Sequence, residues 1–174
     1  MELIEWDYAY ITDLVEFAND KEIANNLRDN FPHPYKEQNA RDFISFCLAT
    51  PDVKQLSYAI FYQERAIGSI SLTFEEDTSI NKNAELGYWL SRNYWGKGIA
   101  TNAVKEICKI AFEKYNLNKI HANVYSYNRG SSKVLEKCGF KIEEYCHNSI
   151  IKNRKMPILL VDTGYIGIYQ LMKR

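Results

Sequence analysis

The sequence predicts an α+β fold: a mixed, mainly antiparallel sheet with helices on both faces. Three observations carry that expectation. A strand pattern, a long helix pattern and a second strand pattern follow one another between Glu85 and Tyr125. A strand–helix–strand crossover returns the chain to run parallel. Two further pairs of β-rich runs, 56–61 with 66–74 and 140–151 with 156–169, are separated by only a few residues and read as antiparallel hairpins. The order is strand, helices, three strands, helix, strand, helix and two strands, which makes seven strands in one domain spanning residues 1–174.

Each element has a local reason. Leu3 to Trp6 opens as a short strand, and Asp7 or Thr12 caps a helix that runs through Leu14, Phe17 and Ala18. A second short helix covers about 21–28. Asn30-Phe-Pro-His-Pro-Tyr35 interrupts it, because two prolines this close exclude a helix. The next helix, 36–49, shows Ala40, Phe43, Ile44 and Cys47 on one face, and Pro51 ends it. The hairpin 56–74 turns at Gln63-Glu64-Arg65, and 75–83 is a polar loop.

The strand Glu85–Leu90 leads into the long helix. There Ile99, Ala103, Ile107, Ala111 and Tyr115 recur every four residues, with Ala100, Val104 and Cys108 beside them. Asn116-Leu-Asn118 closes the helix. Lys119 to Tyr125 then alternates, with Ile120, Ala122 and Val124 against His121, Asn123 and Tyr125. A turn at Tyr127–Gly130 precedes a short helix, 131–137, that buries Val134 and Leu135 and stops at Gly139. The closing pair turns around Lys152-Asn-Arg154.

Composition narrows the function. Lys plus Arg and Asp plus Glu both number 22, so no basic surface for nucleic acid is expected. The short Lys152–Lys155 cluster reads as a solvated tip. No apolar run is long enough to span a membrane, and Met1–Asp7 is too acidic for a signal peptide, so a cytoplasmic location is the default. The four cysteines, Cys47, Cys108, Cys138 and Cys146, form no C-x-x-C pair, so neither a metal knuckle nor a redox motif is expected.

The chemistry points to the junction Trp95-Gly-Lys-Gly-Ile-Ala-Thr101. A helix N-terminus offers amides without helical partners and a partial positive charge, and glycines let a phosphate approach the backbone. The same two glycines also suit an ordinary turn. The spacing is not that of a P-loop, and Thr101 stands where a Gly-x-Gly-x-x-Gly fingerprint has its third glycine.

Five segments in this order and spacing resemble the GNAT superfamily of N-acetyltransferases, in the branch of the RimJ- and RimL-type ribosomal-protein enzymes. They are Asn19-Asp20, Phe31-Pro-His-Pro-Tyr35, Glu85-Leu-Gly-Tyr-Trp-Leu90, Trp95–Thr101, and Asn128-x-x-Ser131-x-x-Val134-Leu-Glu-Lys-Cys-Gly-Phe140. The resemblance covers nearly the whole chain. It implies that acetyl-CoA lies between two splayed strands, the fourth and fifth. Its pantetheine arm runs along Tyr88, Trp89 and Leu90, and its pyrophosphate rests on the amides of Gly96, Lys97, Gly98, Ile99, Ala100 and Thr101, without a metal. Trp95, Asn123, Asn128 and Ser131 complete the expected cofactor contacts, although Asn128 also suits a turn before a helix. The resemblance is compatible with a homodimer.

Two departures bear on mechanism. Trp95 stands where the wider family has Gln or Arg, as is frequent in this branch. Leu135 stands where the wider family has the tyrosine that protonates the leaving sulfur, and the branch's serine is matched by Ser131. The other reading of Ser131 is a helix-start residue. An attacking amine must be neutral, so a base is sought. Glu85 is the first candidate, with an exposed strand-edge carboxylate as its other reading. His121 is second, and Glu143 or Glu144 follow; His33 and His147 read as structural. The acceptor is expected to be a peptide α-amine. A small amine such as a polyamine or antibiotic, or a non-catalytic acetyl-CoA-binding module, are the alternatives.

Overall fold

The computed structural model describes residues 1–75, 82–146 and 166–172. Among them seven strands form one sheet in the order β1-β2-β3-β4-β5-β7-β6. They are β1 Glu2–Ile4, β2 Gln55–Tyr62, β3 Arg65–Phe74, β4 Asn83–Leu90, β5 Lys119–Tyr125, β6 Lys141–Cys146 and β7 Ile166–Met172. Every neighbouring pair is antiparallel except β4 with β5, which is parallel. The helices are α1 Ile11–Ala18, α2 Lys21–Asn25, α3 Glu37–Ala49, α4 Ile99–Lys114 and α5 Arg129–Lys137. The α+β class, the mainly antiparallel seven-stranded sheet and the helices on both faces are as expected. The tips of the 74–83 loop and of the last hairpin, with His147 and the Lys152–Lys155 cluster, fall outside the described residues.

The two faces have separate cores. One gathers Ile60, Ile70 and Leu72 of the sheet against Ile99, Ala103, Val104, Ile107, Cys108 and Ala111 of α4 and Leu135 of α5. Burial pushes the Cys108 thiol up to about 12, in keeping with an inert packing residue. The other gathers Trp6, Leu14, Ala18, Tyr35, Ala40 and Ile44 against Ala59 and Ala66. Truncating a fully buried side chain such as Leu14 to alanine would cost about 2–5 kcal/mol.

The ends of elements differ slightly from expectation, for reasons of capping. Asp7 accepts from the Ala9 amide at 2.7 Å and caps a 3₁₀ turn, Tyr8–Tyr10, so α1 starts at Ile11 with Thr12 inside it. Asn128 accepts from the Ser131 amide at 3.1 Å and caps α5, which therefore starts at Arg129, two residues before the expected start. At the other end of α5, Gly139 (φ 89°) donates to Glu136 and Phe140 donates to Leu135, which closes a Schellman turn.

One feature of the sheet makes the site. β4 and β5 pair over three positions only, from Asn83–Lys119 to Glu85–His121. Beyond Glu85, β4 stays paired with β3 as far as Leu90, and β5 stays paired with β7 as far as Tyr125. The sheet therefore splits into a V whose point is at Glu85. Gly68 holds the far end of β4 close to β3, since a Cβ there would meet the Trp89 carbonyl oxygen at 2.5 Å.

Candidate active site

The open end of β4 runs into the glycine turn. Gly96 and Gly98 have φ of 74° and 77°, a conformation costly for any other residue. A Cβ built on either has no heavy atom within 4 Å, so the space above the turn is open. The first helical bond of α4 is donated by Asn102 to Gly98, at 3.0 Å. The amides from Gly96 to Thr101 thus precede the helical ladder, as an anion cradle requires. Neighbouring elements brace it. The Trp95 indole donates to the Leu90 carbonyl at 2.7 Å, and the thiol of Cys138, the residue that ends α5, donates to the Thr101 carbonyl at 3.4 Å. Lys97 lies over the Tyr94 ring at 5.2 Å. Asp20, which caps α2, pairs with Arg92 at 2.9 Å just before the turn. This geometry fits the pyrophosphate of a nucleotide cofactor.

The V opens into a cavity of about 780 Å³. On the α5 side, Ser131 and Asn128 line it together with Tyr88. Ser131 Oγ lies 2.7 Å from the Tyr88 hydroxyl. Ser131 thus stands inside the first turn of α5 with its side chain towards the slot, while Asn128 serves as the cap. Leu135, one turn further, is fully buried.

On the other side the wall is made by side chains. Ser69, Ser71 and Thr73 of β3 follow at two-residue spacing opposite Trp89, Gly87 and Glu85 of β4. Phe31, Tyr35, Phe43 and Phe46 enclose it from the segment after α2 and from α3. Glu85, at the point of the V, forms an ion pair with Arg28 and accepts from Asn123 Nδ2 at 3.0 Å. Both contacts use Oε1. Burial pushes the Tyr35 hydroxyl up to about 12, with the neighbouring Cys47 and Asp42 adding to it.

The other sequence candidates lie elsewhere. His121 faces Glu75 at 3.6 Å, and Glu143 faces Lys119 at 3.8 Å; neither lines the cavity. His33 is exposed in its loop. Asn123 sits at the point of the V, against Glu85. Arg28 and the β3 hydroxyl row were not singled out from sequence. Alternation in Ser69-Ile-Ser-Leu-Thr73 is the signal that could have found the row; Arg28 carries no pattern of its own. Among the described residues no cluster of His, Cys, Asp or Glu could hold a metal, and no helix is long and apolar enough to cross a membrane.

A glycine cradle at the head of a long helix, next to a parallel strand pair that splays open, defines the acetyltransferase class. The sequence profile of the acetyltransferase (GNAT) domain matches residues 1–141, and the chain belongs to that family. In Bacillus subtilis the probable N-acetyltransferase YjcK is 38% identical over 87 residues, 50% of this chain and 48% of that protein. That match therefore spans about half of the relative. The putative ribosomal N-acetyltransferase YdaF, also of Bacillus subtilis, is 27% identical over 137 residues, 79% of this chain and 68% of that protein. A solved RimL ribosomal-protein acetyltransferase in complex with coenzyme A superposes with a TM-score of 0.83. It covers 98% of this chain and 92% of that one at 19% identity, a likeness of fold.

Proposed function

We propose that this protein transfers the acetyl group of acetyl-CoA to a primary amine by direct attack in a ternary complex, and that the acceptor is a peptide α-amine. The observation that carries the reading is the split between β4 and β5. It joins the glycine cradle to a cavity with a hydroxyl on one side and a carboxylate on the other.

Acetyl-CoA supplies an activated thioester. The chain supplies everything else. The amides of Gly96 to Thr101 hold the pyrophosphate, and the edge of β4 that has parted from β5, at Tyr88, Trp89 and Leu90, aligns the pantetheine arm. The Trp95 indole, bonded to the Leu90 carbonyl, fixes the end of that edge. Asn128 holds the Ser131 backbone, and Ser131 donates a hydrogen bond to the sulfur as it leaves. Asn123 holds Glu85 Oε1, so that Oε2 is the oxygen an incoming amine or its water meets. Glu85 is our candidate base.

A peptide acceptor is favoured by the wall of the cavity. The hydroxyls of Ser69, Ser71 and Thr73 suit the amides of an extended chain. Among the described residues, the charged side chains lining the cavity are Arg28, Asp42 and Glu85, and Arg28 already pairs with Glu85. A polyamine would need more unpaired carboxylates than that. YdaF, named as a ribosomal N-acetyltransferase, supports the same choice. The test is CoA release from acetyl-CoA against peptides with free N-termini, polyamines and aminoglycosides. We expect peptides to give the highest kcat/KM; preference for spermidine would overturn the acceptor class, and no release with any amine would overturn the enzyme.

A further inference from the structure

Position 135 cannot supply a proton to the leaving sulfur. Leu135 has no hydroxyl, and it is fully buried in the core beneath α5. A phenol nevertheless reaches the same place from another element. The Tyr88 hydroxyl, on β4, lies 2.7 Å from Ser131 Oγ and 3.4 Å from the Ser131 carbonyl oxygen. The shorter contact is a strong O–H···O distance, and the longer one is at the weak limit. Both side chains line the cavity at the open slot. The Ser131 amide is held separately by Asn128 Oδ1 at 3.1 Å, so the serine's position does not depend on the tyrosine.

We infer that Tyr88 is a positioning residue that acts through Ser131; this rests on the acetyltransferase reading above. A phenol is a stronger acid than an aliphatic alcohol, so in this pair the tyrosine donates and the serine accepts. With its oxygen occupied from β4, Ser131 turns its own proton into the slot. As the amine's electron pair forms the C–N bond, the C–S bond breaks onto sulfur. Sulfur takes the Ser131 proton, Ser131 takes the Tyr88 proton, and Tyr88 is reprotonated by solvent, to which Glu85 passes the proton it takes from nitrogen. The function that the wider family draws from position 135 of the helix is drawn here from the strand.

The experiment is a double-mutant cycle of Tyr88→Phe and Ser131→Ala. Turnover is read as CoA thiol released from saturating acetyl-CoA, with the tripeptide Ser-Ala-Ala as acceptor and again with water alone. Acetyl-CoA affinity is read by calorimetry and folding by the thermal midpoint. Tyr88→Phe should lower kcat at least about tenfold, what one charge-assisted hydrogen bond supplies. Its acetyl-CoA affinity should stay within about twofold, well inside the spread of a single contact. The double variant should be no slower than Ser131→Ala alone, and Ser131→Thr, which keeps a hydroxyl, should remain sensitive to Tyr88→Phe. An unchanged kcat in Tyr88→Phe, or losses that multiply in the double variant, would overturn the relay. A proton inventory of wild-type kcat in mixed heavy water adds a check free of substitution: a curved plot is expected, and a linear one would overturn the proposal. If wild type binds no acetyl-CoA, the acetyltransferase reading fails with it; if wild type turns over and Tyr88→Phe is unaffected, only the relay fails.

Discussion

The two sides of the slot are built from different material. On the α4–α5 side the binding surface is largely backbone: amides before the first turn of α4, with Gly96 and Gly98 in the turn, and the edge of β4 that has parted from β5. On the α1–α3 side it is side chains, brought from β3, β4, β5, α3 and the segment after α2. A backbone surface depends on a few conformations and tolerates many sequences. A side-chain surface depends on the identity of every contributor. The first therefore suits a ligand that does not change, and the second an acceptor that varies between relatives. The fold fixes the cofactor and leaves the acceptor to be chosen.

Substitutions at the carboxylate, the hydroxyl, the turn and the guanidinium can break this division, and they should do so in decreasing order of effect. Glu85→Gln keeps the shape of the V's point and removes its charge. If Glu85 takes the proton of the amine, kcat/KM should fall by roughly 1,000-fold while acetyl-CoA affinity holds. The plot of log kcat/KM against pH should also lose one ionisation. An unchanged profile would dismiss Glu85 as the base and leave direct capture of the neutral amine. Next is Ser131→Ala, on the α5 side of the cavity. Loss of one donor to a developing anion costs on the order of 3 kcal/mol, read as kcat at saturating acetyl-CoA. A normal kcat would assign the serine to α5 alone.

Third, Gly98→Val should affect the backbone side and spare the other. No atom blocks the new Cβ, so the cost in the free protein is conformational, about 1–2 kcal/mol for a left-handed residue. The bound state loses in addition the close approach of the pyrophosphate. Acetyl-CoA affinity measured by calorimetry should fall by about tenfold or more, with the acceptor's KM unchanged. Wild-type affinity in a folded variant would remove the cradle assignment.

The same contrast explains what could be read from the sequence. The sheet, the first hairpin, the antiparallel pairing of the last two strands and the boundaries of β5 followed from local patterns such as the alternation in Ile120-His-Ala-Asn-Val124 and the four-residue spacing of Ile99 to Ala111, because local patterns record local burial; β7, expected over 156–169, runs over Ile166–Met172. The left-handed turn followed from Gly96 and Gly98, because glycine adopts that backbone without steric cost. The acceptor wall did not follow. Arg28 and Glu85 are 57 residues apart and meet through the packing of the segment after α2 against the sheet. The Tyr88–Ser131 pair is separated by 43 residues and depends on how far β4 and β5 diverge. Such pairs are set by topology, and no periodicity marks them. The start of α5 was misplaced for a simpler reason. Asn128 reads as a turn residue or cofactor contact, and its side-chain oxygen also caps α5, which begins two residues before Ser131.

The smallest effect is expected at Arg28, and it tests whether the two sides are independent. The guanidinium is 64% exposed while its partner Glu85 is 30% exposed, so the pair is screened by solvent. Exposed ion pairs contribute about 1 kcal/mol or less, and Arg28→Gln should leave the thermal midpoint nearly unchanged. Its effect should appear instead in acceptor binding. A cationic amine arriving at Glu85 competes with the guanidinium for the same carboxylate. Removing Arg28 should lower the acceptor's KM by up to about fivefold, the factor that corresponds to 1 kcal/mol. The gain should shrink as salt is added, because screening weakens the competition as well as the pair. Acetyl-CoA affinity should not move, since the cradle lies at the other end of β4. A raised KM would mean that Arg28 holds Glu85 in place for the amine rather than competing with it. A change in acetyl-CoA affinity would mean that the point of the V and its open end are mechanically coupled, and the division between the two sides would fail.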